Sequence, residues 1–223
     1  MQGEAPCEER ECAEEPLCAE APLPTIFVMH ASVGSGHRSA ALAVAEAFEK
    51  LVQEGDARIP ANTRIEVLDI LDYGRVPLDG DKTASMFTGP TRPIYDITWR
   101  FTFTGRLLWG GGTSWAHVMF KKLTDYVEQR KPIAVVCTHI TAANAVAGAR
   151  MLTKQRFPIV CVPTDYEIEG LWPHKDADMF CVATEAMAET LRPRKVPETR
   201  MQITGIPVRG GLGEEFDTAA IRE

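Results

Sequence analysis

The fold of this chain is decided by one stretch near its start, Val28-Met29-His30-Ala31-Ser32-Val33-Gly34-Ser35-Gly36-His37-Arg38-Ser39-Ala40-Ala41. The apolar run 25–30 predicts a buried strand, and residues 39–54 predict a helix. The small residues between them predict a tight turn. A strand, a glycine turn and a helix in this order direct free backbone N–H groups and the positive end of the helix dipole at a bound anion.

A histidine directly follows the second glycine of this turn. A turn that needs only tight geometry has no use for an imidazole, and the unperturbed pKa of histidine, about 6.5, suits a base at neutral pH. We therefore predict that His37 deprotonates a substrate hydroxyl beside a bound phosphate. That combination indicates group transfer from a phosphate-activated donor.

The glycine pair alone is a weak signal for a dinucleotide site. Such a site needs a third small residue, which Ser39 nearly supplies, and an acidic residue about 20 positions further on. The candidate acidic residue, Asp69, lies 33 positions beyond Gly36, and the lysine of a phosphate-binding P-loop is missing. A dinucleotide-dependent oxidoreductase is therefore the weakest of three functional hypotheses.

Most of the net charge lies in an N-terminal segment. The chain of 223 residues carries −7, and residues 1–22, with seven Glu and one Arg, account for −6 of it. This segment lacks apolar periodicity and the features of a signal peptide, so it is predicted to be a disordered acidic tail. The sequence has no run of about 18 apolar residues that would predict a membrane span. A composition of 45% hydrophobic and 25% charged residues is typical of a globular protein.

The six cysteines fall into two groups of three. The first group lies in the acidic tail, without the paired spacing or the nearby histidine of a metal site, so no metal ion is expected at Cys7, Cys12 and Cys18. The second group lies in strand-like runs and predicts buried free thiols at Cys137, Cys161 and Cys181. Reduced thiols without a secretion signal favour the cytoplasm.

Apolar, β-branched runs predict six strands, and helical patterns lie between them. The predicted strands are 25–30, 64–70, 133–139, 159–164, 179–183 and 201–204. The predicted helices are 39–54, 113–130, 141–155 and 185–191. This alternation predicts an α/β fold with a Rossmann-like parallel sheet flanked by helices.

Residues 83–120 interrupt the alternation with aromatic, glycine and arginine residues, and the net charge over 86–122 is +4. Aromatic residues among basic ones predict a helical excursion that contacts an anionic membrane surface. The alternative is an excursion that buries its own aromatic side chains. Nucleic acid is a poor candidate partner, because no known nucleic-acid-binding module is recognisable. The membrane-contacting candidates are Arg92, Trp99, Arg100, Arg106 and Trp109.

Ligands of open α/β sheets bind outside the carboxyl ends of the strands, where several polar side chains of this chain are expected to meet. Some of these have simpler explanations. Asp69 and Asp72 could only stabilise a turn, and Glu185 could only open a helix capped by Thr184. His139 could satisfy a neighbouring backbone group instead of binding a ligand.

Five ordered segments over residues 24–209 match motifs of one known family. They are Ser35-Gly36-His37-Arg38-Ser39-Ala40-Ala41, Thr138-His139, Thr164-Asp165-Tyr166 with Trp172-x-His174, Asp178-x-Phe180-x-Val182-Ala183-Thr184-Glu185, and Ile203-Thr204-Gly205-Ile206-Pro207-Val208. Through them the chain resembles the monogalactosyldiacylglycerol synthases and the bacterial processive diacylglycerol glucosyltransferases.

The resemblance implies a GT-B glycosyltransferase, which has two Rossmann-like domains with the active site between them. Residues 23–209 would form its N-terminal, acceptor-side domain, and 210–223 would begin a linker to a donor domain. The donor substrate would be a UDP-sugar, with no tightly bound cofactor and no metal. The acceptor would be diacylglycerol or a similar lipid at the inner face of the membrane. The donor domain could be supplied by another chain.

The resemblance also implies roles for individual residues. His37 is the expected base, and Asp165 is either the base or a carboxylate that orients an imidazole. The further cleft residues are Gly34, Ser35, Gly36, His139, Thr164, Tyr166, Trp172, His174 and Gly205. The second hypothesis is a non-catalytic lipid-binding module that kept this fold but lost the donor half. Glu169 also departs from the family pattern, since many members carry a histidine at that position.

Overall fold

The centre of the molecule is a parallel six-stranded sheet. A computed structural model describes residues 23–75, 119–165, 168 and 172–210. The strands are β1 (Thr25–His30), β2 (Arg64–Asp69), β3 (Ala134–Cys137), β4 (Ile159–Cys161), β5 (Met179–Val182) and β6 (Met201–Ile203). They pair in the order β2-β1-β3-β4-β5-β6. The six predicted strands and their parallel arrangement are therefore confirmed.

Helices connect the strands, as the alternating pattern predicts. They are α1 (Gly36–Gln53), α2 (Lys121–Arg130), α3 (Ile140–Thr153) and α4 (Glu185–Leu191), with a 3-10 turn at Ile70–Tyr73. The N-terminal part of the predicted helix 113–130, the acidic tail, the excursion up to residue 118 and residues 211–223 lie outside the described residues. The α/β class with a Rossmann-like sheet is confirmed.

Helix α1 begins three residues earlier than predicted. The backbone N–H of Ser39 donates to the carbonyl of Ser35 over 2.9 Å, which is a regular α-helical bond. Ser35 occupies the N-cap position without a side-chain cap, so the sequence carries no capping signal that would mark this start. His37 therefore stands in the first turn of a helix and not in the tight turn that precedes it.

The predicted carboxyl ends of two strands are also too long, for local reasons. Strand β4 ends at Cys161, since Pro163 has no N–H with which to continue the ladder. Strand β3 ends at Cys137, because His139 already caps helix α3. These shorter strands expose the connections where ligands of such sheets bind.

The strand order reverses beside β1, which places a crevice there. From β1 the chain first passes to β2 on one side and later returns to β3 on the other side. Connections that leave two neighbouring strands in opposite directions open a crevice at the carboxyl ends of those strands. Strand β1 itself is anchored firmly, since Phe27, Val28 and Met29 are fully buried. The alanine-rich face of α3 is buried as well, which lets that helix approach the sheet closely.

The described residues on either side of the excursion between β2 and α2 lie next to each other. The backbone N–H of Arg75 donates to the carbonyl of Met119 over 2.8 Å, so the two residues that flank the segment 76–118 are hydrogen-bonded. Because Arg75 follows the carboxyl end of β2, this hydrogen bond lies near the edge of the sheet that carries the crevice. No helix in the described ranges is long and apolar enough to cross a bilayer.

A buried carboxylate fixes α2 to the edge strand β2. The side chain of Glu66 is only 8% exposed. It accepts a 2.7 Å hydrogen bond from the hydroxyl of Tyr126 and pairs with Arg130 and Arg64. The ring of Tyr126 stacks on Phe27 at 5.5 Å. This network holds the returning end of the excursion against the sheet.

We expect Tyr126→Phe to lower the free energy of unfolding by about 1–2 kcal/mol, because it removes a hydrogen bond to a buried carboxylate and keeps the ring. Asp125→Asn is the matched control on the same helix. Among the described residues, Asp125 pairs with exposed Lys121, and its loss should cost less than about 0.5 kcal/mol. Urea unfolding of the variants measures both values. Equal effects would contradict the anchoring role of Glu66.

Candidate active site

The imidazole of His37 is held at one ring nitrogen. Its Nδ1 lies 3.0 Å from the carbonyl oxygen of Thr138 and 2.8 Å from the hydroxyl oxygen of Thr164. Because a carbonyl oxygen can only accept, the contact with Thr138 assigns the ring proton to Nδ1. The lone pair is then on Nε2, and no hydrogen bond among the described residues occupies that atom. His37 therefore offers an acceptor of the kind that a general base requires.

Thr138 joins β1, β3 and the first turn of α1. It is fully buried, and its hydroxyl lies 2.9 Å from the carbonyl oxygen of His37 and 3.3 Å from that of Met29. Its backbone N–H donates to Met29 over 2.9 Å. Thr138 thus contacts both the side chain and the backbone of His37. Thr138 was not among the predicted site residues, although two signals pointed to it: its position at the end of a predicted strand and its place in the Thr138-His139 motif.

His139 lies against His37 and also caps helix α3. Its Nδ1 accepts a 3.1 Å hydrogen bond from the backbone N–H of Thr141. The two imidazole rings are nearly perpendicular, with centroids 4.6 Å apart. Burial, and to a lesser degree the charge of His37, lowers the pKa of His139 to about 3. His139 is therefore neutral near pH 7. It accepts a hydrogen bond from a backbone N–H group, as the simpler explanation predicts, and it also lies beside His37.

Two other carboxylates at strand ends have structural partners, as the simpler explanations predict. Asp69 accepts hydrogen bonds from the backbone N–H groups of Leu71, at 3.0 Å, and Ser32, at 3.3 Å. Glu185 opens helix α4 and pairs with Arg192, while the Thr184 hydroxyl caps that helix. Asp69 thus stabilises the turn after β2 and the loop after β1 together.

Comparison with known proteins shows the family of this chain. The description of the matching family is monogalactosyldiacylglycerol (MGDG) synthase, and the match covers residues 37–208. The chain belongs to the MGDG synthase family. Because the match begins at His37 and includes Thr138, His139 and Thr164, the imidazole pair and its supports lie inside the family region.

Two relatives of this family member are processive diacylglycerol β-glucosyltransferases. The protein of Bacillus cytotoxicus is 24% identical over 83% of this chain and 45% of its own length. The protein of Bacillus subtilis strain 168 is 28% identical over 45% of this chain and 26% of its own length. The chain thus spans less than half the length of these relatives. Among solved structures, the apo form of the lipopolysaccharide outer core galactosyltransferase WaaB matches 81% of this chain and 45% of its own, with 11% identity and a TM-score of 0.42.

The other predicted site residues of this MGDG synthase family member lie in several different environments. Gly34 and Gly205 have φ angles of +79° and +78°, a left-handed conformation that favours glycine. Asp165 is exposed directly after Thr164, and Ser35 and Gly36 are exposed at the start of α1. Tyr166, Glu169 and the membrane-contacting candidates Arg92, Trp99, Arg100, Arg106 and Trp109 lie outside the described residues.

Two aromatic candidates belong to the region of β5 instead of the turn beside His37. Trp172 is 5% exposed and packs edge-on against Phe180 at 6.2 Å. The ring of His174 lies 5.8 Å from the same phenylalanine. Trp172 is thus a core residue, which accounts for the aromatic position in its motif. Within the described part of the chain, no group of three or more metal-ligating side chains is present.

The stability of this domain should decrease as the pH falls below about 6.5. Burial lowers the pKa of His30, and it lowers that of His139 to about 3, so between pH 6.5 and about 3 the unfolded chain binds a proton that folded His139 does not. One such histidine contributes up to about 1.4 kcal/mol per pH unit. His139→Asn, which keeps an N-cap, should show a shallower loss in urea unfolding across this range. An unchanged slope would contradict the assignment.

Proposed function

We propose that this chain forms the acceptor-side half of a GT-B glycosyltransferase that transfers a hexose from a UDP-sugar to diacylglycerol. Family membership and the names of the two Bacillus relatives support this acceptor. Both relatives are more than twice as long as their matched regions. We therefore assign the UDP-sugar site mainly to a donor domain outside residues 1–223, connected through 210–223 or supplied by another chain.

The observation that carries this proposal is the fixed imidazole of His37 at the strand-order reversal. In the proposed reaction, Nε2 of His37 accepts the proton of the glycerol hydroxyl. The hydroxyl oxygen then bonds to the anomeric carbon of the sugar, and the bond from that carbon to UDP breaks, so the sugar configuration inverts. UDP leaves with the bonding electron pair. Hydrogen bonds from Nδ1–H of His37 to the Thr138 carbonyl and the Thr164 hydroxyl keep the imidazole oriented and reduce the cost of reaching this arrangement.

The first turn of α1 supports a smaller contribution to the donor side. It contains no acidic residue, and its first backbone N–H groups have no partners within the helix. These groups and the helix dipole favour the charge that develops on the leaving diphosphate. Asp165 is exposed beside Thr164. It is the second candidate, either as the base or as a carboxylate that orients an imidazole.

We further propose that the enzyme works at the inner, cytoplasmic face of an anionic membrane. A lipid acceptor stays in the bilayer, whereas a sugar nucleotide is dissolved in water, so the reaction needs an interface. The aromatic and basic segment 86–122 has the composition of such a contact. Arg75 and Met119, which flank residues 76–118, are hydrogen-bonded near the carboxyl end of β2, at the edge of the sheet that carries His37.

Replacing the base should abolish turnover without unfolding the protein. In this chain combined with the proposed donor domain, His37→Ala should lower kcat at least about a hundredfold. Ser39→Ala, an exposed change two residues further along the same turn, is the control and should retain activity. The measurement is radiolabelled glycolipid formation from UDP-hexose and dioctanoylglycerol, with circular dichroism as the folding check.

Three outcomes would contradict parts of this proposal. Near wild-type turnover of His37→Ala would remove His37 as the base. Robust glycolipid synthesis by residues 1–223 alone would contradict the division into two halves. Lipid binding without any sugar transfer, by this chain combined with the donor domain, would favour the non-catalytic lipid-binding module.

Membrane binding should depend on the aromatic and basic segment. We expect the triple variant Trp99→Ala, Arg106→Ala, Trp109→Ala to bind phosphatidylglycerol vesicles at least about tenfold more weakly, because it removes two interfacial anchors and one cation. Arg156→Ala removes one positive charge at the opposite, amino edge of the sheet and should bind like the wild type. Vesicle flotation measures this. Equal binding of the triple variant would contradict the proposed contact.

A further inference from the structure

The two imidazoles of the crevice carry their ring protons on opposite kinds of nitrogen. The carbonyl of Thr138 requires a proton on Nδ1 of His37, which makes its Nε2 an acceptor. The backbone N–H of Thr141 donates to Nδ1 of His139, so the neutral ring of His139 carries its proton on Nε2. One ring therefore offers an acceptor, and its neighbour offers a donor.

The fold itself uses only one nitrogen of His139. Capping of α3 needs an acceptor at Nδ1, which an asparagine side chain provides equally well. No hydrogen bond among the described residues uses Nε2 of His139. Its N–H group is a strong polar group in a half-buried position, and such groups are stable only when a partner or water satisfies them.

The pairing of the two rings suits a single hydroxyl group. A hydroxyl is both a donor and an acceptor, so it can bond to a ring that offers an acceptor and to a ring that offers a donor. The two rings meet edge to face with centroids 4.6 Å apart, so both lie within one small region of the crevice. An ester or ether oxygen, which has no proton, could satisfy only the donor of His139.

We propose that Nε2–H of His139 donates a hydrogen bond to the oxygen of the acceptor hydroxyl whose proton passes to Nε2 of His37. This inference rests on the proposed function, because the hydroxyl is that of the lipid acceptor. His139 is then a binding residue that selects a hydroxyl and fixes its oxygen beside the base. Its neutral state matters, since a charged ring would repel the imidazolium that His37 becomes.

The tautomers can be read directly in the unmodified chain. Long-range proton–nitrogen correlation spectra of 15N-labelled protein distinguish a protonated from an unprotonated ring nitrogen, and His→Asn variants assign the signals. We expect Nδ1–H for His37 and Nε2–H for His139 at neutral pH, with His139 still neutral near pH 5. A proton on Nδ1 of His139, or a charged His139 at that pH, would overturn the inference.

Binding of two lipids that differ in one hydroxyl tests the contact itself. The probes are 1,2-dioctanoyl-sn-glycerol and propane-1,2-diol dioctanoate, which lacks only that hydroxyl, both presented in zwitterionic detergent micelles. The wild-type chain should bind the hydroxyl-bearing lipid more tightly. In His139→Asn, which keeps the helix cap, this preference should shrink about three- to tenfold, and the affinity for the deoxy lipid should stay the same.

The outcomes separate this inference from the proposed function. A wild-type preference for the hydroxyl that persists in full in His139→Asn would overturn the role of His139 and leave the proposed function standing. A wild-type chain that binds neither lipid, or binds both equally, would contradict the proposed acceptor and the inference with it. A preference lost only in the variant, with unchanged thermal unfolding, would support both.

Discussion

The hydrogen bond between Nδ1 of His37 and the carbonyl of Thr138 is the contact on which the rest of the site depends. It joins residues 101 positions apart, and it forms only because β1 and β3 are neighbours in the sheet. The same contact decides which ring nitrogen carries the proton, so the chemistry of the imidazole follows from the strand order. Thr164, beyond β4, adds a second contact to the same nitrogen. Three strand ends thereby set the orientation of one imidazole.

Much of the fold could be predicted, because strands buried on both faces leave continuous apolar runs in a sequence. The six strands and the α/β class follow from such runs and their alternation with helices. The start of α1 could not be predicted in this way. Gly36 and His37 are poor helix formers, and Ser35 makes no side-chain cap, so a helix begins where local propensity indicates a turn. Packing of the alanines of α1 against β1 overrides that propensity.

The site was partly predictable for a different reason. The rule that ligands bind at the carboxyl ends of parallel strands brings His37, His139 and Thr164 together without any coordinates. It cannot give the proton position on either imidazole, which depends on the register of β3 and on the cap of α3. It also cannot separate Trp172, a core residue beside Phe180, from a cleft aromatic, because both occur in similar motifs. Those distinctions require the packed structure.

The central claim is that Nε2 of His37 meets the hydroxyl of a lipid acceptor. A crystal structure of the chain with bound 1,2-dioctanoyl-sn-glycerol tests it most directly. The account predicts the hydroxyl oxygen at about 2.7–3.0 Å from Nε2 of His37, with the acyl chains directed away from the sheet edge. A lipid whose hydroxyl lies far from His37, or a protein group bonded to that Nε2 in its place, would contradict the account.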